Sequence, residues 1–301
     1  MEISCTGPFE FLFAGEGDAE SPDYVATFRD NVEVWQFNPN GPSDQMTCKV
    51  LSLQFAPLGE SAAGASLDTT QRQRQELGRL KPYLLEATGA PVIMVSPARQ
   101  IDARGSRVRI TIPERKIALD VGDVRLTSGR NVLRAPAIFY THPAAQERTR
   151  LGNFLAEGAG SLDFVPNPGE PGEVLRAQWQ QSVRLTRDQG KPCLWLDGRP
   201  RLAMTGRGEL VADEMKIYLE EVAPGDGMAL NGDADESTVR PDRLSAIGTV
   251  IIQSPQLTGR THELSAWFRY HSPSAKQDGA DSESGNRDRF ALPNEQDGGE
   301  A

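Results

Sequence analysis

The chain has 301 residues, of which 38% are hydrophobic and 25% charged, and a formal net charge of −10. That length suits one large globular domain or two smaller ones. The acidic balance, with no clustered Lys/Arg run, argues against a nucleic-acid partner, because phosphate recognition needs a basic surface. No stretch approaches the roughly 18 to 20 consecutive apolar residues of a membrane-spanning helix. Cys5, Cys48 and Cys193 are widely separated and lack C-x-x-C spacing, which points to neither a disulfide framework nor a zinc site. The opening residues, MEISCTGPFEFLF, carry no basic start and no apolar run of a secretory signal. Taken literally they imply a cytoplasmic protein, although a piece of a longer exported protein would begin in the same way.

In chain order, period-two alternation and turn residues dominate, with 29 Gly and 21 Pro, and the chain reads as all-β. The first unit runs from Tyr24 to Phe55, two alternating strands around an Asn-Pro-Asn-Gly turn at Asn38 to Gly41. In it Val32 and Val34 face one way and Glu33 and Trp35 the other, while Cys48 and Val50 oppose Leu51 and Leu53. Residues 62–85 read as an insertion, helical or mobile, with one short helix over Thr69 to Lys81 ending before Pro82. A second unit, Glu86 to Ile112, and a third, Lys116 to Thr141, repeat the strand-corner-strand rhythm. Gly160 to Val165 and Leu175 to Leu185 predict a wider hairpin in the same sheet, and Leu194 to Leu219 a fourth unit. The clearest copy is Arg243 to Phe268, RLSAIGTVIIQSPQLTGRTHELSAWF, two strands joined through Ser254-Pro255 as Ser96-Pro97 joins those of the second unit. The scaffold is thus expected over residues 1–271, as halves 1–141 and 151–271, with 272–301 a disordered polar tail too poor in apolar residues to offset ordering entropy.

The stretch GRGELVADEMKIYLEE followed by RPDRLSAIGTVIIQSPQLTGRTHELSAWF resembles the OstA-like domain of the lipopolysaccharide-transport proteins LptA and LptC. Weaker copies of the rhythm extend back to Tyr24. The resemblance implies a β-jellyroll, an open taco-like stack of antiparallel strands whose groove holds acyl chains and whose ends pair edge to edge with another jellyroll domain. It also implies a periplasmic or cell-envelope location. The groove-facing candidates that follow are Val250, Ile252, Leu257, Leu264, Ala266 and Phe268, together with Leu202, Met204, Leu210, Met215, Ile217 and Leu219. Their equivalents earlier in the chain are Val32, Val34, Val92, Met94, Ile101, Val108 and Ile110. The partner implied is lipopolysaccharide or another amphipathic lipid, with no cofactor.

Alternation alone fits a second arrangement equally well: a structural or assembly module with a closed core and no ligand. Catalysis finds little support. His142, His262 and His271 have no convergent partners in the sequence, and no carboxylate pair recurs in a motif context. Gly206-Arg-Gly208 and Gly225 to Gly227 lack the third Gly and following helix of a dinucleotide loop. The acidic run Gly225 to Glu236 departs from calcium-loop spacing and reads as a solvated loop. Trp35 and Trp267 fall on the phase opposite the core and are expected to pack on the back of the sheet.

Overall fold

The computed structural model describes residues 1–13, 24–39, 41–57, 80–143, 152–165, 174–222, 228–229 and 238–268. Among these residues every regular element is a β-strand, and all 21 strands join one antiparallel sheet. The fold is all-β and jellyroll-like. Met1–Phe268 forms one compact unit. No helix among the described residues is long and apolar enough to cross a membrane.

The chain is a meander bent along one line of corners, so that its strands make two hydrogen-bonded rows. Six long strands cross from row to row: β3 (Tyr24–Gln36), β4 (Asp44–Pro57), β5 (Leu80–Ser96), β6 (Ile101–Thr111), β20 (Thr238–Gln253) and β21 (Thr258–Trp267). Elsewhere a corner separates two short strands. These pairs are β1 (Glu2–Ser4) and β2 (Phe9–Phe13), β7 (Lys116–Asp120) and β8 (Val124–Ser128), β9 (Asn131–Ala135) and β10 (Ala137–Thr141), and β11 (Asn153–Glu157) and β12 (Gly160–Phe164). They continue with β13 (Leu175–Trp179) and β14 (Ser182–Asp188), β15 (Lys191–Asp197) and β16 (Arg201–Met204), and β17 (Gly208–Val211) and β18 (Glu214–Val222). The two-residue β19 (Met228–Ala229) flanks the start of β20.

The first row runs in the order β2, β3, β4, β5, β6, β7, β10, β11, β14, β15, β18, β20, β21. The second runs β1, β3, β4, β5, β6, β8, β9, β12, β13, β16, β17, β20, β21. The long strands turn the corner through register shifts at Arg29/Val32, Thr47/Val50, Thr88/Val92 and Ile247/Val250. Such bulges bend a strand without ending it. Asp30 and Asn31 take φ of 60° and 48° there, a left-handed conformation that short polar side chains tolerate. Gly248, at φ 97°, sits against the Asp213 carboxylate, which accepts the Thr249 N–H at 2.8 Å; a Cβ would collide with it. Hydrogen bonds also run along the corner line. Gly158 N–H donates to Gln181 O at 2.7 Å, Gln180 N–H to Gly198 O at 2.8 Å, and Asp213 N–H to Ile247 O at 3.2 Å. The bend therefore leaves these backbone groups paired.

Packing is tightest just inside the corners. Val32, Val92, Val124 and Val250 from the second row and Leu51, Ile138, Leu196 and Met215 from the first are 0–1% exposed and belong to one cluster. One inward position further from the corner, Met94, Leu126, Ile110, Ile117, Leu185 and Leu194 pack against that cluster but are only partly buried. Trp179 fills the corner layer where the facing residue is Gly160, and its Nε1 donates to Gly158 O at 2.9 Å.

Several sequence expectations change. The inward set of β4 is Met46, Cys48, Leu51 and Leu53, because three residues carry the strand from Cys48 to Leu51 across the register shift at the corner and so flip its phase midway. Residues 80–85 of the expected insertion belong to β5, including Leu80 and Lys81 from the expected helix; residues 62–79 and the tail 272–301 lie outside the described residues. Ser96-Pro97 and Ser254-Pro255 make reversal turns between β5 and β6 and between β20 and β21, and the corners lie elsewhere. Leu175 to Leu185 breaks at Gln180-Gln181 into strands of different rows, so only β12 and β13 form the hairpin. The two expected halves share one sheet, since β10 pairs directly with β11.

A Cβ on Gly160 would lie 2.5 Å from Trp179 Cζ2 and 2.6 Å from Arg134 O. Gly160→Ala should therefore destabilise the fold by about 1–3 kcal/mol, the usual cost of overpacking a filled site. Urea unfolding followed by tryptophan fluorescence checks it, and an unchanged midpoint would contradict this packing.

Candidate functional site

The sequence-derived apolar positions converge on the interior between the two rows. In the second row Ala177 opposes Leu202, Leu202 opposes Leu210, and Leu210 opposes Ile252, which makes a continuous cross-strand line. In the first row Met215 opposes Ala246 and Ala246 opposes Leu264, while Ile217, Leu244 and Ala266 form the parallel line one layer out. These side chains all belong to or pack on the same hydrophobic cluster.

Depth separates them. Val250 and Met215 sit at the corner at 0% exposure, and Ile217 and Leu219 are nearly as buried at 9% and 7%. Leu202, Leu210, Ile252, Leu264 and Ala266 are partly buried. Met204 lies at the end of β16 opposite Gly208, also half-buried. Two candidates stand outside the lines: Leu257 is in the β20–β21 turn at 58% exposure, and Phe268 follows β21 at 44%. The earlier positions Val32, Val34, Val92, Met94, Val108 and Ile110 join the same cluster at the other end of the sheet. Sequence reasoning did not single out Leu119, Ile138, Ala156, Val183 and Leu196, which form the middle of the first row's corner layer. Their signal was alternation within strands of five to seven residues, too short to stand out from the turns around them.

The outward face of the first row carries a polar cluster. Trp195 lies between Arg184, whose Cζ is 3.9 Å from its ring centre, and Lys216, whose Nζ is 4.2 Å away. Asp188 accepts hydrogen bonds from the Tyr218 hydroxyl at 2.8 Å and from Lys216 at 3.2 Å, which hold its carboxyl below the usual range. Arg243 stacks 4.2 Å from the Tyr218 ring and, with Trp267, helps line a shallow recess. Trp267, expected to pack on the back of the sheet, is instead 66% exposed, whereas Trp35 is half-buried. His142 is exposed, its Nδ1 3.1 Å from Pro143 O, and His262 is exposed on the edge strand. No group of three or more His, Cys, Asp or Glu side chains suited to a metal ion occurs among the described residues.

Comparison with family models, curated proteins and solved structures gave no match.

The cysteines report on packing on both sides of the sheet. Cys48 lies in the interior opposite Val32, and Cys193 lies outward opposite Tyr218; burial pushes both thiols up to about 11. Cys5 is only partly buried. At pH 8 a thiol-reactive probe should therefore label Cys5 rapidly and the other two only after unfolding. Mass mapping of the adducts decides it, and fast labelling of all three in the native protein would contradict the packing.

Proposed function

We propose that this chain is a non-enzymatic binding module for an amphipathic lipid, with acyl chains lying along the outer apolar lines between the two rows. The observation that carries the reading is the fall in burial away from the corner on three strands: Val250 at 0% and Ile252 partly buried on β20, Val92 at 0% and Met94 partly buried on β5, Val108 at 1% and Ile110 partly buried on β6. These half-covered layers of Leu, Met and Ile offer apolar surface that the fold itself does not cover. An acyl chain would cover them, at about 0.8 kcal/mol for each methylene withdrawn from water before the costs of association. The resemblance of Ala203 to Phe268 to the OstA-like domains supports lipopolysaccharide as the lipid and the cell envelope as the setting.

The ends of the sheet favour a partner of the same kind. Among the described residues β21 pairs only with β20, and β1 and β2 pair only with β3, so each end has an unpaired strand edge. Exposed Phe9 and Leu12 at one end and Trp267 at the other give those edges apolar contacts. Strand addition by another β-rich domain would satisfy the free backbone groups.

Displacement of a fluorescent fatty acid by lipopolysaccharide tests the lipid reading. Saturable uptake is expected, and Ile252→Asp should weaken it at least tenfold with the β-sheet signal intact, because that side chain is only partly buried. Val250→Asp, in the sealed layer, should instead unfold the protein. Absence of uptake by the folded parent chain would favour the closed structural module.

A further inference from the structure

The outward face of the second row holds three arginines directly abreast. Arg104 on β6 opposes Arg125 on β8, and Arg125 opposes Arg134 on β9. Neighbouring strands lie about 4.8 Å apart, so the three side chains start from adjacent positions on one flat surface. All three are exposed and flank inward residues of the core, Ala103, Leu126 and Leu133.

Like charges directly opposite destabilise a sheet, and Arg125 has one on each side. The local carboxylates do not cancel the charge at the centre. Asp102 takes Arg104 through Nε at 3.1 Å and Nη2 at 3.4 Å. Asp163 is shared between Arg134 at 3.6 Å and Arg176 at 2.6 Å. Among the described residues Arg125 has no ion pair. Arg99 and Arg130 stand in the adjoining turns, which are tied together by Gly129 N–H donating to Gln100 O at 2.9 Å. A basic focus has thus formed in a chain of net charge −10, at a position where it weakens the sheet that bears it.

We propose that Arg104, Arg125 and Arg134 form an oxyanion site that takes a phosphate monoester, with Arg125 as its central ligand. Guanidinium groups bind phosphate oxygens through paired N–H donors, and a doubly charged group between three cations removes the repulsion that the free site carries. Arg104 and Arg134 keep donors beyond those their carboxylates use. The site faces away from the apolar interior and stands independently of what the interior binds.

The test uses the full chain, titrated with inorganic phosphate and floated with phosphatidylcholine vesicles that contain or lack phosphatidic acid. Binding to one or both phosphate sources is expected, falling as salt rises. Dependence on phosphatidic acid alone places the phosphate on a lipid headgroup, and response to inorganic phosphate alone places it on a soluble ligand. Arg125→Gln should weaken binding about fivefold, as expected for loss of one cation near an anionic surface. Arg125→Glu should abolish it, and Arg260→Gln, on the same face at the edge strand, should not change it. Neither Arg125 variant should melt below the parent, because each relieves repulsion. The proposal is overturned by lack of binding to both sources, by binding indifferent to Arg125, by citrate binding as tightly as phosphate, or by Arg125→Gln melting well below the parent.

Discussion

The bend that carries each pass of the chain from one row to the other governs everything else in this molecule. An antiparallel meander of this many strands, left flat, would expose both faces of its backbone ladder to water and bury little. Bending it along a single line brings Val32, Val92, Val124 and Val250 against Leu51, Ile138, Leu196 and Met215 and buries all eight almost completely. The bend is affordable for the backbone because hydrogen bonds continue along the corner, through Gly158, Gln180, Asp213 and their acceptors. Local residues supply the conformations it needs, Asp30 and Asn31 in β3 and Gly248 in β20.

The same bend sets a gradient. Side chains next to it meet partners from the facing row; further out Ile110, Leu126, Leu202 and Ile252 are only partly covered, whereas Leu219 and Val239 at the other end of β18 and β20 stay buried. A sealed corner layer supplies stability, and in the proposed reading the incompletely covered outer layer is the apolar surface that a lipid would cover. The two faces of the sheet divide their chemistry accordingly. Inward positions are largely apolar, whereas outward positions carry ion pairs such as Arg107 with Asp120, held by two hydrogen bonds at 2.6 and 2.8 Å, and the arginine line across β6, β8 and β9.

The strand class and most inward positions were legible in the sequence because alternation is a local signal. Val32 with Val34 and Val108 with Ile110 point inward as their spacing predicts. The register shifts were not legible: the corner crossing between Cys48 and Leu51 leaves no mark in the residue types, yet it turns Leu51 and Leu53 inward. Leu257 lies between two apolar alternations but falls in a turn, where phase has no meaning. The assignment of strands to rows was also hidden, since it rests on pairings between segments distant in sequence. For that reason the neighbouring positions of Arg104, Arg125 and Arg134 emerged only from the register.

Photocrosslinking with a diazirine-bearing fatty acid, followed by mass mapping of the modified residues, tests whether lipid enters the interior between the rows. Adducts are expected on the partly buried inward line, at Leu202, Leu210, Ile252 and Leu264, and not on the outward Trp195 or Lys216. Adducts confined to the outward face or to the exposed edge residues Phe9 and Trp267 would contradict an interior that receives lipid.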